Sequence, residues 1–380
     1  MSATLETKIL PVKPESISFD TTGTTLTITD PETKQNLEYA ADILRNTHHA
    51  VGFPSETVYG LGASSLSSQS VKSIYAAKNR PADNPLISHV SSIDQLKRKL
   101  MVPGQEIPEI YAPLIEKFWP GPLTILLPMP ENVQDSPISQ LVTSGQPTFA
   151  VRMPQNPVAR ALIYIADLPL AAPSANASTR PSPTTAAHVY HDLKGRIPLI
   201  LDGGPSDVGL ESTVVDGLCD PPMLLRPGGI SLEQIKQAGG PRWQNIVVAK
   251  KTAGKLEPVR TPGMKYRHYS PTARVVLFNN CGDGKEKVKA YLEQNNLRNK
   301  KVALLKTRHF APACDISPLI SYDGTLGTSG NEIQRNLFSA LRALDAEECD
   351  YILIEGVDET AEGLAIMNRL SKAASETING

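Results

Sequence analysis

Apolar positions along this chain fall in short runs bounded by turns rich in glycine, proline and serine, the pattern of buried strands linked by tight connections. Such runs predict strands at 49–54, 86–90, 123–127, 149–154, 168–172, 197–201, 212–215 and 224–226. Alternating β-branched and polar positions over 21–29 predict an edge strand or hairpin. Helical spacing is shorter and rarer. Val71, Ile74 and Tyr75 stand at i, i+3 and i+4, which predicts a helix ending near Lys78 and Arg80, where cations are favoured. Pro81 and Pro85 then keep the backbone extended. Short helices are also predicted at 40–46, 114–119 and 184–193, and Ser231 with Gln234 has capping-box spacing for another that stops near Gly239 and Gly240. Residues 55–62 read as a polar turn closed by Gly60 and Gly62, and 128–147 as a polar loop.

The pattern changes after about Lys251. Residues 261–271 carry two tyrosines, a histidine and two cations, a composition that packs onto something rather than idling in solvent. Beyond them strands at 274–278, 301–306 and 351–355 alternate with helices at 285–294 and 362–374 and with a helical stripe of Ile333, Leu337, Leu341 and Leu344. This predicts a smaller α/β domain with mainly parallel strands. It contains neither a Walker A segment nor a complete glycine fingerprint for dinucleotides.

Length and composition narrow the function classes. The 380 residues give room for two or three domains, and 40% hydrophobic with 20% charged residues is the balance of a soluble globular chain. A formal net charge of -1 argues against a large polyanion-binding surface. Cys219, Cys281, Cys314 and Cys349 form no C-x-x-C pair, which fits a reducing compartment and no structural zinc. No run is long enough to span a bilayer and the first residues do not read as a signal peptide, so a cytoplasmic location is expected, with a mitochondrial pool left open.

The candidate chemistry repeats one theme, a strand delivering a polar group into a turn of small residues. Lys78, Arg80 and Asn84 form a rigid donor-rich loop suited to phosphate. Arg152 stands at a strand exit, Ser174 and Asn176 are two apart, Ser212 opens a strand and Arg226 closes another. On these residues alone a solvated helix end, a surface ion pair or an ordinary turn also accounts for these features.

Eight of these segments, taken in order, resemble the threonylcarbamoyl-AMP synthase family in its two-domain form. They are residues 54–62, 78–90, 118–124, 151–154, 173–176, 211–216, 225–228 and 265–271. The resemblance implies a YrdC-like catalytic domain, a twisted open mixed sheet with a concave substrate cleft, over 35–252 after an N-terminal extension 1–34. A linker, 253–273, would fold over the active site and lead to a smaller Rossmann-like α/β domain at 274–380. The implied activity joins L-threonine, bicarbonate and ATP into threonylcarbamoyl-AMP and pyrophosphate, feeding a separate tRNA threonylcarbamoyl transferase complex.

By the same resemblance Lys78, Arg80, Ser174 and Asn176 are catalytic. Arg80, Asn84, Thr148, Ser174, Ser182, Arg226, Tyr266, His268 and Tyr269 bind ATP, and Thr57, His89, Arg152, Ala172 and Ser212 surround threonine. An anion must approach a polyanion in this chemistry, so Lys78, Arg80 and Arg226 are expected to neutralise charge, with Mg2+ held mainly by the phosphates and by no protein side chain. No residue reads as a nucleophile, so catalysis by positioning and electrostatics is expected. Two other readings stay open at the level of sequence: an RNA-binding module without turnover, and a carbamoyl-transfer enzyme. Stable nucleic acid binding is not expected, because basic and aromatic residues do not interleave along one strand.

Overall fold

In the computed structural model, which describes residues 5–21, 23–80, 84–249 and 269–380, the apolar runs form strands because they are covered on both faces. The chain divides into two units. The first comprises Met1–Ser178, Ser182–Asp207 and Glu211–Lys265, and the second Thr179–Pro181, Val208–Leu210 and Tyr266–Gly380. The expected linker residues 253–268, with Tyr266 and His268, and Pro81 to Asp83 of the donor-rich loop lie outside the described residues.

In the first unit the strands are β1 (Lys8–Pro11), β2 (Ile17–Phe19), β3 (Leu26–Ile28), β4 (Val51–Phe53), β5 (Gly60–Ser64), β6 (Ile87–His89), β7 (Leu123–Pro128), β8 (Thr148–Arg152), β9 (Leu170–Ala171), β10 (Leu199–Asp202), β11 (Thr213–Asp216), β12 (Met223–Arg226) and β13 (Val247–Val248). β3 lies in the span predicted at 21–29 and pairs antiparallel with β2, which precedes that span; the others make one mixed sheet in the order β1-β10-β4-β5-β9-β6-β8-β7-β11-β12-β13. β1 pairs in parallel with β10, so Lys8–Pro11 adds a strand to the large sheet, while β2 and β3 form a sheet of their own.

Helix α1 (Pro31–Asn46) starts well before the predicted 40–46. Asp30 caps it by accepting from the Thr33 N–H, Pro31 opens it, and Leu37, Ala40, Ala41 and Leu44 pack with Phe53, Leu162 and Leu199. Its polar first turns hid that start. Gly60 and Gly62 do not close a turn but lie inside β5, across from β4, where a Cβ would stand 2.8 Å and 2.7 Å from the Phe53 ring. Their role is close approach, not positive φ. The loop read at 128–147 contains a helical turn, Gln140–Thr143, and helices Ile93–Leu100 and Pro157–Ala166 were not legible in the apolar pattern.

Helix α2 (Ser68–Lys78) confirms the helical spacing of Val71, Ile74 and Tyr75. Ser67 caps its start and Asn79, at φ 51°, ends it in a left-handed turn, so Lys78 is buried while Arg80 is half-buried. In the second unit β14 (Arg274–Asn279), β15 (Val302–Lys306), β16 (Ile320–Thr325), β17 (Tyr351–Glu355) and β18 (Glu376–Asn379) form a wholly parallel sheet, β16-β15-β17-β14-β18. Among the described residues no helix is long and apolar enough to cross a membrane.

Candidate functional site

Arg152 is the hub. It ends β8 and pairs in register with His89 of β6 on one side and Thr124 of β7 on the other. Its guanidinium is buried and held on every nitrogen: Nε donates to the Gly121 carbonyl at 3.1 Å, Nη1 to Thr57 Oγ1 at 2.9 Å and Nη2 to Glu56 Oε1 at 2.5 Å. Each terminal nitrogen retains a second N–H for an acceptor such as a carboxylate.

From Arg152 a circuit of contacts runs through the other candidates. Its neighbour Thr124 bonds Ser212 between hydroxyls at 2.8 Å, and Arg226 donates to the Ser212 carbonyl and hydroxyl at 2.9–3.0 Å. Glu211, beside Ser212, accepts from the Ser182 hydroxyl at 2.6 Å. Pro183, next along, accepts the Tyr59 N–H at 2.8 Å, and Tyr59 lies two residues from Thr57, which closes the ring at Arg152. Gly228 makes the Arg226 side of this circuit sterically feasible, since a Cβ there would stand 2.3 Å from the Glu211 carbonyl oxygen.

A second cluster joins at Tyr59. Its carbonyl accepts the Ala175 N–H at 2.8 Å, and Ser174 bridges Gly60. Ser174 Oγ and Asn176 Oδ1 are 2.5 Å apart, so these two side chains share a direction. The buried Lys78 ammonium donates to the carbonyls of Ser174 and Asn176, the latter at 2.6 Å. The cation therefore holds this turn.

These turns do not meet at one end of the sheet. β9 runs antiparallel to β6, so Ala172 lies beside Ile87, at the start of β6, whereas His89 and Arg152 lie at the exits of β6 and β8. The polar groups span the short central strands instead. Arg80 follows the cap of α2 with its N–H on the Tyr75 carbonyl, and the Asn84 carbonyl accepts the Tyr75 hydroxyl at 2.8 Å. Thr148 opens β8, about 13 Å of strand from Arg152. Tyr269 is buried in the second unit, its ring 5.0 Å from that of Phe338 and 5.9 Å from the Arg369 guanidinium, so its ring faces are engaged in packing there.

Two carboxylates, Glu56 and Glu211, hold the circuit from within segments 54–62 and 211–216, in which the resemblance assigns them no role. Burial alone would raise the Glu56 carboxyl, yet the Arg152 charge and bonds from the Gln155 backbone and the Arg152 side chain leave it below the ordinary range. Only the fold could pair residues so far apart in sequence.

His89 is buried with Nδ1 3.1 Å from the Ile87 carbonyl oxygen. Burial first, and then the Arg152 charge, pushes its pKa down from 6.5 to about 3, so the ring is neutral at physiological pH and adds no cation to the site. Its folded pKa is depressed, so its contribution to stability is complete above pH 6.5 and is lost as pH falls towards about 3. We expect a decline of up to about 1.4 kcal/mol per pH unit in that window, and a shallower one in His89→Leu. Urea midpoints at a series of pH values test this; equal slopes would show that the ring protonates within the fold.

Comparison with known proteins follows this geometry. Residues 44–228 match the Sua5–YciO–YrdC family, described as "Telomere recombination", and residues 230–375 match "Threonylcarbamoyl-AMP synthase, C-terminal domain". A threonylcarbamoyl-AMP synthase of Schizosaccharomyces pombe is 52% identical, covering 99% of each chain. The chain belongs to the threonylcarbamoyl-AMP synthase family, in its two-domain form. A Bacillus subtilis member of the family is 43% identical over 92% of this chain and 94% of its own. The structure of Pyrococcus abyssi Sua5 complexed with L-threonine superposes with a TM-score of 0.83 at 40% identity, covering 98% of this chain and 99% of that one. Membership supports the enzymatic reading over the RNA-binding and carbamoyl-transfer readings.

Proposed function

We propose that the chain condenses L-threonine, bicarbonate and ATP to threonylcarbamoyl-AMP, releasing pyrophosphate and water. The observation that carries this reading at the level of the site is the circuit linking Arg152, Thr57, Ser182, Ser212 and Arg226, joined at Tyr59 to the turn held by Lys78.

Arg152 takes the threonine carboxylate, with Thr57, His89, Ala172 and Ser212 around the rest of the amino acid. The threonine nitrogen attacks carbon dioxide or bicarbonate, and an oxygen of the resulting N-carboxylate attacks the α-phosphorus as pyrophosphate leaves. Arg80, Arg226 and Asn84, with Thr148, Ser174 and Ser182, receive ATP. The cations reduce repulsion between an attacking anion and the phosphates. Glu56 and Glu211 are committed to Arg152 and Ser182, and among the described residues no cluster of carboxylates, histidines or cysteines is placed to hold a metal. Mg2+ would be held mainly by the phosphate oxygens of ATP, where it would add to the neutralisation of their charge. Tyr266, His268 and Tyr269 as further ATP contacts, and residues 253–273 as a cover over the site, belong to this proposal, as do the domain limits 35–252 and 274–380. So does a cytoplasmic location, with room for a mitochondrial pool and a downstream tRNA threonylcarbamoyl transferase complex.

The test is pyrophosphate release from ATP with threonine and bicarbonate supplied together or singly, and the mass of the nucleotide product. Release only with both, and a threonylcarbamoyl adenylate, is the expected result. Release that ignores either co-substrate, or tRNA binding without turnover, would overturn the reading.

A further inference from the structure

Glu56 is buried, as is the arginine it pairs with. Besides Arg152 Nη2, it accepts the Gln155 N–H on Oε1 and the Asn156 N–H on Oε2, each at 3.1 Å. Asn156 in turn caps helix Pro157–Ala166 by accepting from the Val158 and Ala159 N–H groups. One carboxylate thus ties the end of β8, the turn after it and the segment carrying Thr57 into a single rigid piece.

Two consequences follow from elementary electrostatics. A long arginine side chain has many rotamers, and the three bonds at its three nitrogens fix the plane in which its remaining N–H groups are presented. A buried unpaired cation would also attract any anion, whereas the Glu56–Arg152 pair is electrically neutral and matches a ligand whose own charges cancel. A free α-amino acid is such a ligand.

We propose that Glu56 is the positioning residue of the threonine subsite, orienting Arg152 and balancing its charge so that the site takes a zwitterionic amino acid. The proposal rests on the reading of Arg152 as the carboxylate anchor. It gives Glu56 no contact with the reacting atoms.

The experiment is steady-state kinetics on the full chain carrying Glu56→Gln, Glu56→Asp or Arg152→Lys, with KM measured separately for threonine and ATP and folding followed by thermal unfolding. Glu56→Gln keeps the shape and one acceptor oxygen but removes the charge, and turns an NH2 donor towards one of the two backbone N–H groups. It is expected to raise KM for threonine about 10- to 100-fold, leaving KM for ATP within about twofold. Glu56→Asp restores the charge with a shorter reach and is expected to fall between wild type and Glu56→Gln, which also serves if the glutamine variant does not fold. Arg152→Lys separates the two levels of the argument. Should it raise the threonine KM while neither Glu56 variant does, the anchor stands and the role of Glu56 is overturned. Should Arg152→Lys leave the threonine KM unchanged, the anchor itself is overturned. A loss of thermal stability in the Glu56 variants with both KM values moving equally would reduce Glu56 to a structural residue and also overturn the proposal.

Discussion

Arg152→Ala is expected to raise the threonine requirement about 100-fold or more while moving the ATP requirement little, and to destabilise the first unit by about 3–5 kcal/mol. The binding effect follows from losing two charge-assisted hydrogen bonds to a carboxylate. The stability effect has another origin. Truncating the arginine leaves Glu56 buried and charged, still bonded to the Gln155 and Asn156 N–H groups but without its cation. Adding Glu56→Gln to Arg152→Ala removes that orphan charge, so the double variant is expected to be more stable than the single one without recovering threonine affinity. Trp119 and Trp243, the only two tryptophans in the sequence, are both buried in the first unit, so their fluorescence in urea follows this unit. Arg226→Ala is the matched control. Its guanidinium is bonded to Ser212 across the circuit, and it should raise the ATP requirement more than the threonine requirement. Equal effects of both variants on both substrates would remove the assignment of one arginine to each.

The short apolar runs were legible because buried strands write themselves into local sequence, and most strands follow them, whereas β1, β2, β5, β13, β16 and β18 lie outside the predicted runs. Helices were harder. The early turns of α1 are polar because they are exposed, and only Asp30 and Pro31, an N-cap and a first-turn proline, mark its start. Helix Pro157–Ala166 carries the same kind of signal in Asn156 and Pro157, but its nearly continuous apolar run has no clear helical stripe. The glycines at 60 and 62 misled for a physical reason: a glycine that makes room for an aromatic ring and one that permits a turn look alike in sequence. Candidate side chains could be named from their motifs, yet the pairings that define the site, Glu56 with Arg152 and Thr124 with Ser212, join residues in separate segments. Register between strands decides such pairings, and a single sequence does not print it.

Lys78→Met is expected to lower turnover about 100-fold or more, and the structure changes the reason for expecting it. From sequence the lysine was a charge held out to phosphate. In the fold its ammonium is buried and donates to the Ser174 and Asn176 carbonyls, with Asn176 Oδ1 at 3.4 Å. Removing it leaves two carbonyls without that donor, each costing about 1–3 kcal/mol where water cannot replace it, and frees a turn whose side chains are aligned by the 2.5 Å contact between Ser174 and Asn176. Two routes to lost activity then make different predictions for the pair Lys78→Met and Ser174→Ala. If the lysine works by holding the turn, the second substitution removes a group that the first has already misplaced, and the double variant should lose much less than the product of the single losses. If the lysine acts directly on phosphate, independent of the turn, the losses should multiply. The carbonyl contacts favour the first outcome, and single-turnover rates for the three variants at saturating ATP and threonine would decide between them.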